Sequence, residues 1–369
     1  MEMEKKKERI AVGISGGVDS SVAAYLLKAQ GYDVIGIFVK TWSPEWLPCT
    51  WVDEKRDAMR VCAALDIPFY FLDAEEAYKK GVAEYMINEY QAGRTPNPDV
   101  LCNRVIKFGV LWEYAQTLGA TKIATGHYAR IESGRQKVEG GEQLPSALYS
   151  LLSGIDKSKD QSYFLWMIEQ SELSHILFPL GHLPKSEVRA LAEKANLFTS
   201  TKKDSQGICF LGDVDMREFL SHYIEQKKGP VVDTEGRVVG EHDGVWFYTI
   251  GERHGFRITE KNTERNAYYV VGKNIETNTL TVSTKEQNES REKGGEVTVT
   301  LRETNWYIEP KKGECYQAQI RYHGALMDMV VVDKNTVRIS TTEVLPLGQS
   351  LVIYEGETVV GAGIVASLQ

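Results

Sequence analysis

Through the first half of the chain, short apolar β-branched runs alternate with helical periodicities. Ile10 to Ile14 is one such run, and after the glycine-rich Ser15 to Ser21 the residues Val22, Ala23, Leu26 and Leu27 recur at helical spacing. That order predicts strand, loop, helix. Gly31 closes the helix as its C′ residue, because glycine enters the left-handed region without a Cβ clash. Val34 to Val39 predicts a second strand, Ala58, Cys62 and Leu65 mark an amphipathic helix, and Phe69 to Leu72 predicts a third strand. Such βαβαβ alternation implies a parallel sheet covered by helices on both faces, with ligands outside the carboxyl ends of its strands. The glycine-rich loop after the first strand lies there.

Further along, the pattern predicts a helix from Ala74 to Tyr90, a breaker at Gly93 to Pro98, a helix over Arg104 to Thr117 and a strand over Lys122 to Thr125. Cys102 is thereby placed at a loop-to-helix junction. Arg130 to Pro145 lacks periodicity and predicts an excursion or hairpin loop, and helices resume at Gln161 to Gln170 and Lys185 to Ala195. Around Gly229 the character changes to short β-like pieces punctuated by Gly236, Gly240, Gly244, Gly251 and Gly255. From Glu296 onward Val297, Val299 and Leu301 alternate with polar residues, and Met329 to Val332, Ser350 to Tyr354 and Val359 to Val365 read as further strands of a barrel or sandwich. The expected fold class is α/β: a parallel-sheet domain over 1–212, a small β-rich central domain with a leading helix over 213–290, and a C-terminal β-barrel over 291–369.

Composition changes this picture little. The 369 residues exceed the roughly 250–300 at which single cores stop growing, which agrees with several domains. A formal net charge of −8 disfavours indiscriminate coating of nucleic acid but leaves room for a local basic face among 43 Lys and Arg. Met1 to Arg9 is charged, and no later run approaches the roughly 18 apolar residues of a membrane span, so a cytoplasmic protein with no membrane partner is expected. Five cysteines are scattered without a CxxC pair, which points to reduced thiols.

Candidate chemistry begins at Gly13, Ile14, Ser15, Gly16, Gly17, Val18, Asp19, Ser20 and Ser21, where backbone N–H groups and a helix N-terminus can cradle an anion. The segment lacks both the Lys of GxxxxGK[ST] and the GxGxxG spacing, so a γ-phosphate transferase and a dinucleotide binder are disfavoured. It resembles the SGGxDS loop of the N-type ATP pyrophosphatases, the PP-loop enzymes. That resemblance implies cleavage of ATP between its α and β phosphates, with Gly13 to Ser20 binding the nucleotide and Asp19 helping to hold Mg2+.

Two further segments carry cysteines: Asn97, Pro98, Asp99, Val100, Leu101, Cys102, Asn103 and Asp204, Ser205, Gln206, Gly207, Ile208, Cys209, Phe210. Adenylation turns an oxygen into a leaving group, and a thiolate is the group that can carry a sulfur which displaces it. Both segments resemble those of the tRNA-uridine 2-sulfurtransferases, the MnmA family, as do Ala124 to Tyr128, Lys159 to Leu165 and Tyr248 to Gly251. The resemblance runs from about Arg9 to the C-terminus. It implies that Cys209 carries sulfur as a persulfide, and that Cys102 either frees that sulfur by reduction or acts as a second nucleophile, leaving a Cys102–Cys209 disulfide. It further implies that Asp99 serves as acid or base, that Val39 and Gly126 border the nucleotide, and that Asn97, Pro98 and Asp99 meet the flipped base. His127, Lys159, Asp160, Gln161, Arg321 and Tyr322 would touch tRNA, with Lys159 to Gln161 opening a helix. The implied partners are tRNAs for Lys, Glu and Gln and a cysteine desulfurase or sulfur-relay donor.

Other uses of these residues stay open. Cys102, Cys209 and Asp99 also suit an iron–sulfur cluster with one open iron. An amide-forming PP-loop ligase would share the loop without needing Cys102 and Cys209, and a silent tRNA-binding protein would retain the loop for sensing ATP without the chemistry, against which the intact Ser15, Asp19, Asp99, Cys102 and Cys209 count. Cys62 on an apolar helix stripe and Cys315 in a predicted strand read as structural, and Cys49 is unassigned. The sequence departs from the family pattern at Val39, where the family commonly has Met, and at Lys40 to Asp53, where Trp42, Trp46 and Trp51 replace a longer acidic insert.

Overall fold

The computed structural model describes residues 7–47, 51–134, 148–204, 207, 209, 212, 214–259, 267–284, 295–341 and 343–369. The chain divides into two compact units. One comprises the chain up to Val82 with Pro98–Gly212 and Tyr354–Val360; the other comprises Ala83–Asn97, Asp213–Ile353 and Gly361–Gln369.

The first unit opens with β1 (Arg9–Gly13), α1 (Val18–Ala29), β2 (Asp33–Lys40), α2 (Trp51–Ala64), β3 (Phe69–Asp73) and α3 (Glu75–Tyr78). The chain passes through α4 (Glu84–Gln91), which belongs to the second unit, and returns in α5 (Pro98–Leu101), a π-helical stretch over Cys102–Val110, and α6 (Leu111–Thr117). Strand β4 (Lys122–Ala124), the hairpin β5 (Ala129–Gly134) and β6 (Leu148–Ser153), strand β7 (Ile176–Leu177) and α7 (Lys185–Lys194) complete it. Strands β3-β2-β1-β4-β7 form a parallel sheet in that order. Ile10 and Val12 of β1 are fully buried in one core cluster with Val22 and Leu27 of α1, Val61 of α2 and Val188 of α7. Burial of β-branched residues on both sheet faces explains why these strands read as continuous apolar runs.

In the second unit, α8 (Met216–Ser221) is capped by the Asp215 side chain, which accepts from the Glu218 N–H. It precedes β8 (Gly229–Val232), β9 (Val238–His242), β10 (Arg257–Ile258), β11 (Tyr268–Asn274) and β12 (Thr279–Thr284), which form a sheet in the order β10-β9-β8-β12-β11. Six more strands follow: β13 (Gly295–Trp306), β14 (Cys315–Gln319), β15 (Met327–Asp333), β16 (Thr336–Thr341), β17 (Ser350–Glu355) and β18 (Thr358–Leu368). They run in the order β13-β16-β15-β14-β17-β18, and pairing of β13 with β18 closes the ring. The all-β end is therefore a barrel, which removes free sheet edges.

Three sequence expectations are corrected. The helix expected from Arg104 begins at Pro98, whose fixed φ suits a first helical position, so Cys102 sits one turn inside rather than at a loop junction. The stretch 161–170 is not a regular helix: only Ser162–Phe164 forms a 3-10 turn, because Asp160 accepts from the Gly154 and Ser162 N–H groups and holds the chain in a turn. Cys315 is exposed, on the outward face of β14 beside inward Tyr316 and Ala318. Cys62 is buried as expected, against Gly36, and burial pushes its thiol up to about 12. Cys49 and most of the Arg130–Pro145 excursion lie outside the described residues.

Candidate active site

At the carboxyl end of β1 the chain turns through Ile14 to Gly17 into α1. Ile14 N–H donates to the Ile37 carbonyl at 2.9 Å, and the Ser15 and Ser20 hydroxyls meet at 3.2 Å, which ties the loop to the sheet and to the helix. Gly16 has φ +74°, and a Cβ there would lie 2.9 Å from the Glu54 carbonyl oxygen, so only glycine fits. No side chain caps α1 at Gly17, which leaves the positive end of a 12-residue helix to an anion. Gly126 closes the other side: its Cβ would stand 2.8 Å from the Ser20 nitrogen.

Cations converge on this cradle. Lys185 Nζ donates to both Asp19 carboxylate oxygens at 2.7 and 2.8 Å and pairs with Asp204 at 2.9 Å, while Tyr128 donates its hydroxyl to Asp19 at 2.7 Å. Lys202 donates to the Gly16 carbonyl at 3.0 Å and to Asp57 at 2.8 Å. Asp204 also receives Lys159 and Arg189; burial alone would raise its carboxyl, but the hydrogen bonds from Lys185 and Lys159 hold it down at about 2. A glycine loop, an uncapped helix end and flanking lysines fit a nucleotide's phosphates. Asp19 offers Mg2+ one carboxylate, the kind of minimal protein ligation that ion accepts beside phosphate oxygens.

The two expected cysteines come together. Cys102 is fully buried and donates its thiol hydrogen to the Cys209 sulfur at 3.4 Å; Cys209 is partly exposed, and both are free thiols. Asp99 accepts the Cys209 N–H at 2.9 Å, and the Tyr78 hydroxyl donates to the Cys209 carbonyl at 2.9 Å, so the backbone of Cys209 is gripped from two helices. Burial pushes the Cys102 thiol well up. The hydrogen bond from Cys102 draws Cys209 down, and the nearby Lys107 ammonium adds to this against the opposing effect of burial. Burial likewise raises the Asp99 carboxyl, opposed by the Cys209 N–H and Lys107. One sulfur is thus the proton donor of the pair, and the other is shifted toward its thiolate.

Lys107 was not singled out from the sequence. Its Nζ lies 3.2 Å from His127 Nε2, and His127 Nδ1 meets the Thr125 hydroxyl at 2.7 Å. Burial and the adjacent ammonium hold His127 neutral, so Nε2 accepts from Lys107 and Nδ1–H donates to Thr125. In an α-helix residues five apart diverge by about 140° around the axis. The wider π turn, with its i→i+5 hydrogen bonds, brings Lys107 onto the side of Cys102. Only this irregularity, invisible to a 3.6-residue pattern, links the two.

The remaining expected residues are dispersed. His127 is buried, and Val39 is buried near the end of β2. Lys159 pairs with Asp204, Asp160 caps the turn, and Gln161 accepts from the Tyr128 N–H at 3.1 Å, so these three brace the first unit instead of opening a helix. Pro98 starts α5, whereas Asn97 ends a segment of the second unit. Arg321 pairs with Glu343 at 3.1 Å and Tyr322 stacks on His323 at 3.8 Å, in the β14–β15 connection. An iron–sulfur cluster does not fit the thiol site: two sulfurs in mutual contact at 3.4 Å leave no room for separate irons, and Asp99 is engaged by the Cys209 N–H. Among the described residues no three His, Cys, Asp or Glu side chains gather as metal ligands.

Fold and site together define an α/β nucleotide-cleft enzyme with a paired-thiol centre and a C-terminal barrel. Family models match in the same order: a tRNA methyl transferase HUP domain over residues 8–213, a tRNA methyl transferase PRC-barrel domain over 217–284 and an aminomethyltransferase beta-barrel domain over 296–365. The chain is 41% identical to the tRNA-specific 2-thiouridylase MnmA of Enterococcus faecalis over 98% of its own length and 96% of that protein's. It is 42% identical to the tRNA-specific 2-thiouridylase MnmA of Geobacillus thermodenitrificans with the same coverage. The chain belongs to the MnmA family of tRNA-specific 2-thiouridylases. Among solved structures, U34-tRNA thiolase NcsA of Methanococcus maripaludis is 20% identical over 59% of this chain and 65% of that one, at a TM-score of only 0.35.

Proposed function

We propose that the chain thiolates the wobble uridine of tRNA at C2 in two chemical stages. In the first, uridine O2 attacks the α phosphorus of ATP at the Ser15–Ser20 loop; an O–P bond forms, pyrophosphate leaves and N3 gives up its proton to Asp99, the expected base. The uncapped end of α1 and Lys185 stabilise the charge on the departing phosphates, and Mg2+ bound at Asp19 would neutralise more of it. In the second, Cys209 takes the terminal sulfur of a donor persulfide while the donor cysteine leaves as thiolate. The Cys102 sulfur then attacks the Cys209 sulfur, a Cys102–Cys209 disulfide forms, and the proton of Cys102 departs with the terminal sulfur as hydrosulfide. Hydrosulfide adds to C2, AMP leaves, and an external dithiol reduces the disulfide.

The observation that carries this reading is the asymmetric sulfur pair. Cys209 is reachable and favoured as thiolate, which suits capture of sulfur from a protein donor; Cys102 is enclosed and protonated at resting state, which suits release. The first two family models are described by methyl transfer, but two sulfurs in contact are chemistry for thiolation, in line with the relatives' names. By family resemblance the acceptors are tRNAs for Lys, Glu and Gln, and the donor is a cysteine desulfurase or relay protein.

Full-length protein incubated with tRNA, ATP, Mg2+, a persulfide donor and dithiol is expected to yield AMP, pyrophosphate and 2-thiouridine in nucleoside mass spectrometry. Cys209→Ser should lose persulfide-dependent thiolation while still releasing pyrophosphate. Undiminished thiolation by Cys209→Ser would remove it as the carrier.

A further inference from the structure

The sulfur centre contains an ammonium to which the two-stage chemistry assigns no part. We propose that Lys107, braced by His127 and Thr125 on the π turn that begins at Cys102, is a positioning residue that supplies the fixed counter-ion for the negative charge passing between the Cys102 and Cys209 sulfurs. The inference rests on the sulfur-transfer reading above and adds a residue to it.

Several observations converge. The groups facing the Cys209 sulfur and its backbone are Asp99 from α5, Tyr78 from α3, and Cys102 and Lys107 from the π stretch. Asp99 is an anion in its ionised form, so a Cys209 thiolate beside it would place two negative charges in one largely dry pocket, an arrangement that needs a cation. Lys107 acts on Cys102, Cys209 and Asp99 together, and their charges overcome the burial that on its own would discharge it. Its Nζ is held at 3.2 Å by His127, kept neutral and turned by the Thr125 hydroxyl at 2.7 Å, so the ammonium gains an acceptor without a competing charge. A carboxylate in place of His127 would instead draw the ammonium into an ion pair of its own.

The charge balance of sulfur transfer explains why a fixed cation is useful. When Cys209 captures sulfur, the negative charge moves from its own sulfur to the donor's leaving thiolate and, on ionisation of the new persulfide, back to the terminal sulfur. When Cys102 attacks, its proton and the S–S electron pair leave with that terminal sulfur as hydrosulfide. In each step an anionic sulfur stays in the pocket or departs from it, and a cation anchored on the helix backbone serves both without rearranging. Lys107 as a flexible surface lysine would not.

The test reads the pH dependence of Cys209 alkylation by iodoacetamide at the peptide level, in full-length protein without tRNA or ATP. Lys107→Met and Lys107→Gln are both expected to move the midpoint upward by at least one pH unit and to slow alkylation and persulfide loading about tenfold at pH 7, whereas Lys107→Arg keeps the midpoint near that of the parent. Pyrophosphate release with ATP and tRNA should persist in all three. A folded neutral variant, judged by its melting temperature, with an unmoved midpoint overturns the assignment; two neutral side chains are used so that misfolding of one does not end the test. If instead the parent protein makes no 2-thiouridine yet its neutral variants shift the Cys209 midpoint, the thiolation reading fails and the role of Lys107 stands.

Discussion

Gly126→Ala isolates the nucleotide half of the site from the sulfur half. An alanine Cβ there would lie 2.8 Å from the Asp19 carbonyl carbon, 2.8 Å from the Ser20 nitrogen and 2.9 Å from Asp19 Cβ. All three belong to the first turn of α1, which cannot rotate away like a side chain because Ser20 is bonded to Ser15 and to the Gly17 carbonyl. Either the loop after β4 or the helix must shift by several tenths of an ångström. Overpacking of this kind costs about 1–3 kcal/mol. In a unit of this size each kcal/mol lowers the melting temperature by about 2–4 °C, so a fall of about 2–12 °C is expected. Because the displaced groups include the N–H donors meant for phosphate, pyrophosphate release should drop by about 10- to 100-fold, the scale of a sub-ångström to 1 Å misplacement. Calorimetry and a pyrophosphate-release assay measure the two effects, and persulfide loading of Cys209 serves as the internal control. A variant with the parent's melting temperature and ATP affinity would refute the close approach of Gly126 to the helix, and parallel loss of persulfide loading would show that the damage is not local.

Three other outcomes follow from charge placement. Asp204 ionises in the folded chain at about 2, below the ordinary carboxyl value of about 3.9, so it adds stability that is complete above the ordinary value and vanishes as pH falls through about 2; Asp204→Asn should cost about 2 kcal/mol at pH 7 and flatten that acid limb in urea titrations. Buried Glu89 accepts from Arg94 at 2.8 and 2.6 Å and from Arg302 at 2.7 Å, so Glu89→Ala, by stranding two guanidinium groups, should destabilise the second unit by about 3–5 kcal/mol in the same titrations. Lys273 is drawn down to about 8 by burial while donating to the Tyr248 carbonyl at 2.7 Å; since the unfolded lysine stays protonated to about 10.4, stability should rise with pH between these values, and Lys273→Met should abolish the rise.

The parallel sheet was legible because its strands are buried on both faces and therefore write themselves as apolar runs, as at Ile10 to Ile14 and Val34 to Val39. The glycine-rich loop was legible because φ at Gly16 and the uncapped α1 demand its residue types. Cys102 and Cys209 could be paired only through family resemblance, since 107 residues separate them and no local pattern brings them together. Lys107 stayed hidden because a π turn changes which residues share a face while leaving composition untouched. The apolar run at 161–170 mimicked a helix, and the side-chain bonds of Asp160 redirected it. Cys315 could have been placed outward from the sequence alone, had the alternation Cys315, Gln317, Gln319 against Tyr316, Ala318 been followed.

Residues 354–360 belong to the first unit although the chain reaches them last but for nine residues. There Tyr354 meets the Ser162 hydroxyl at 3.2 Å, the Glu357 carbonyl accepts the Ser153 N–H at 2.8 Å, and the Glu357 carboxylate holds Arg130. A ribosome emerging past Gly212 has therefore made the nucleotide loop and both thiols but not the segment that completes their domain. At translation speeds of 5–20 residues per second that segment arrives roughly 7–30 s later. During this interval the unit is present with Ser162 and Arg130 still unpaired by their late partners, so the nascent enzyme acquires its final active-site scaffold only when synthesis is almost over. Expression of the first domain alone, cut at the family boundary, would make that unfinished state permanent.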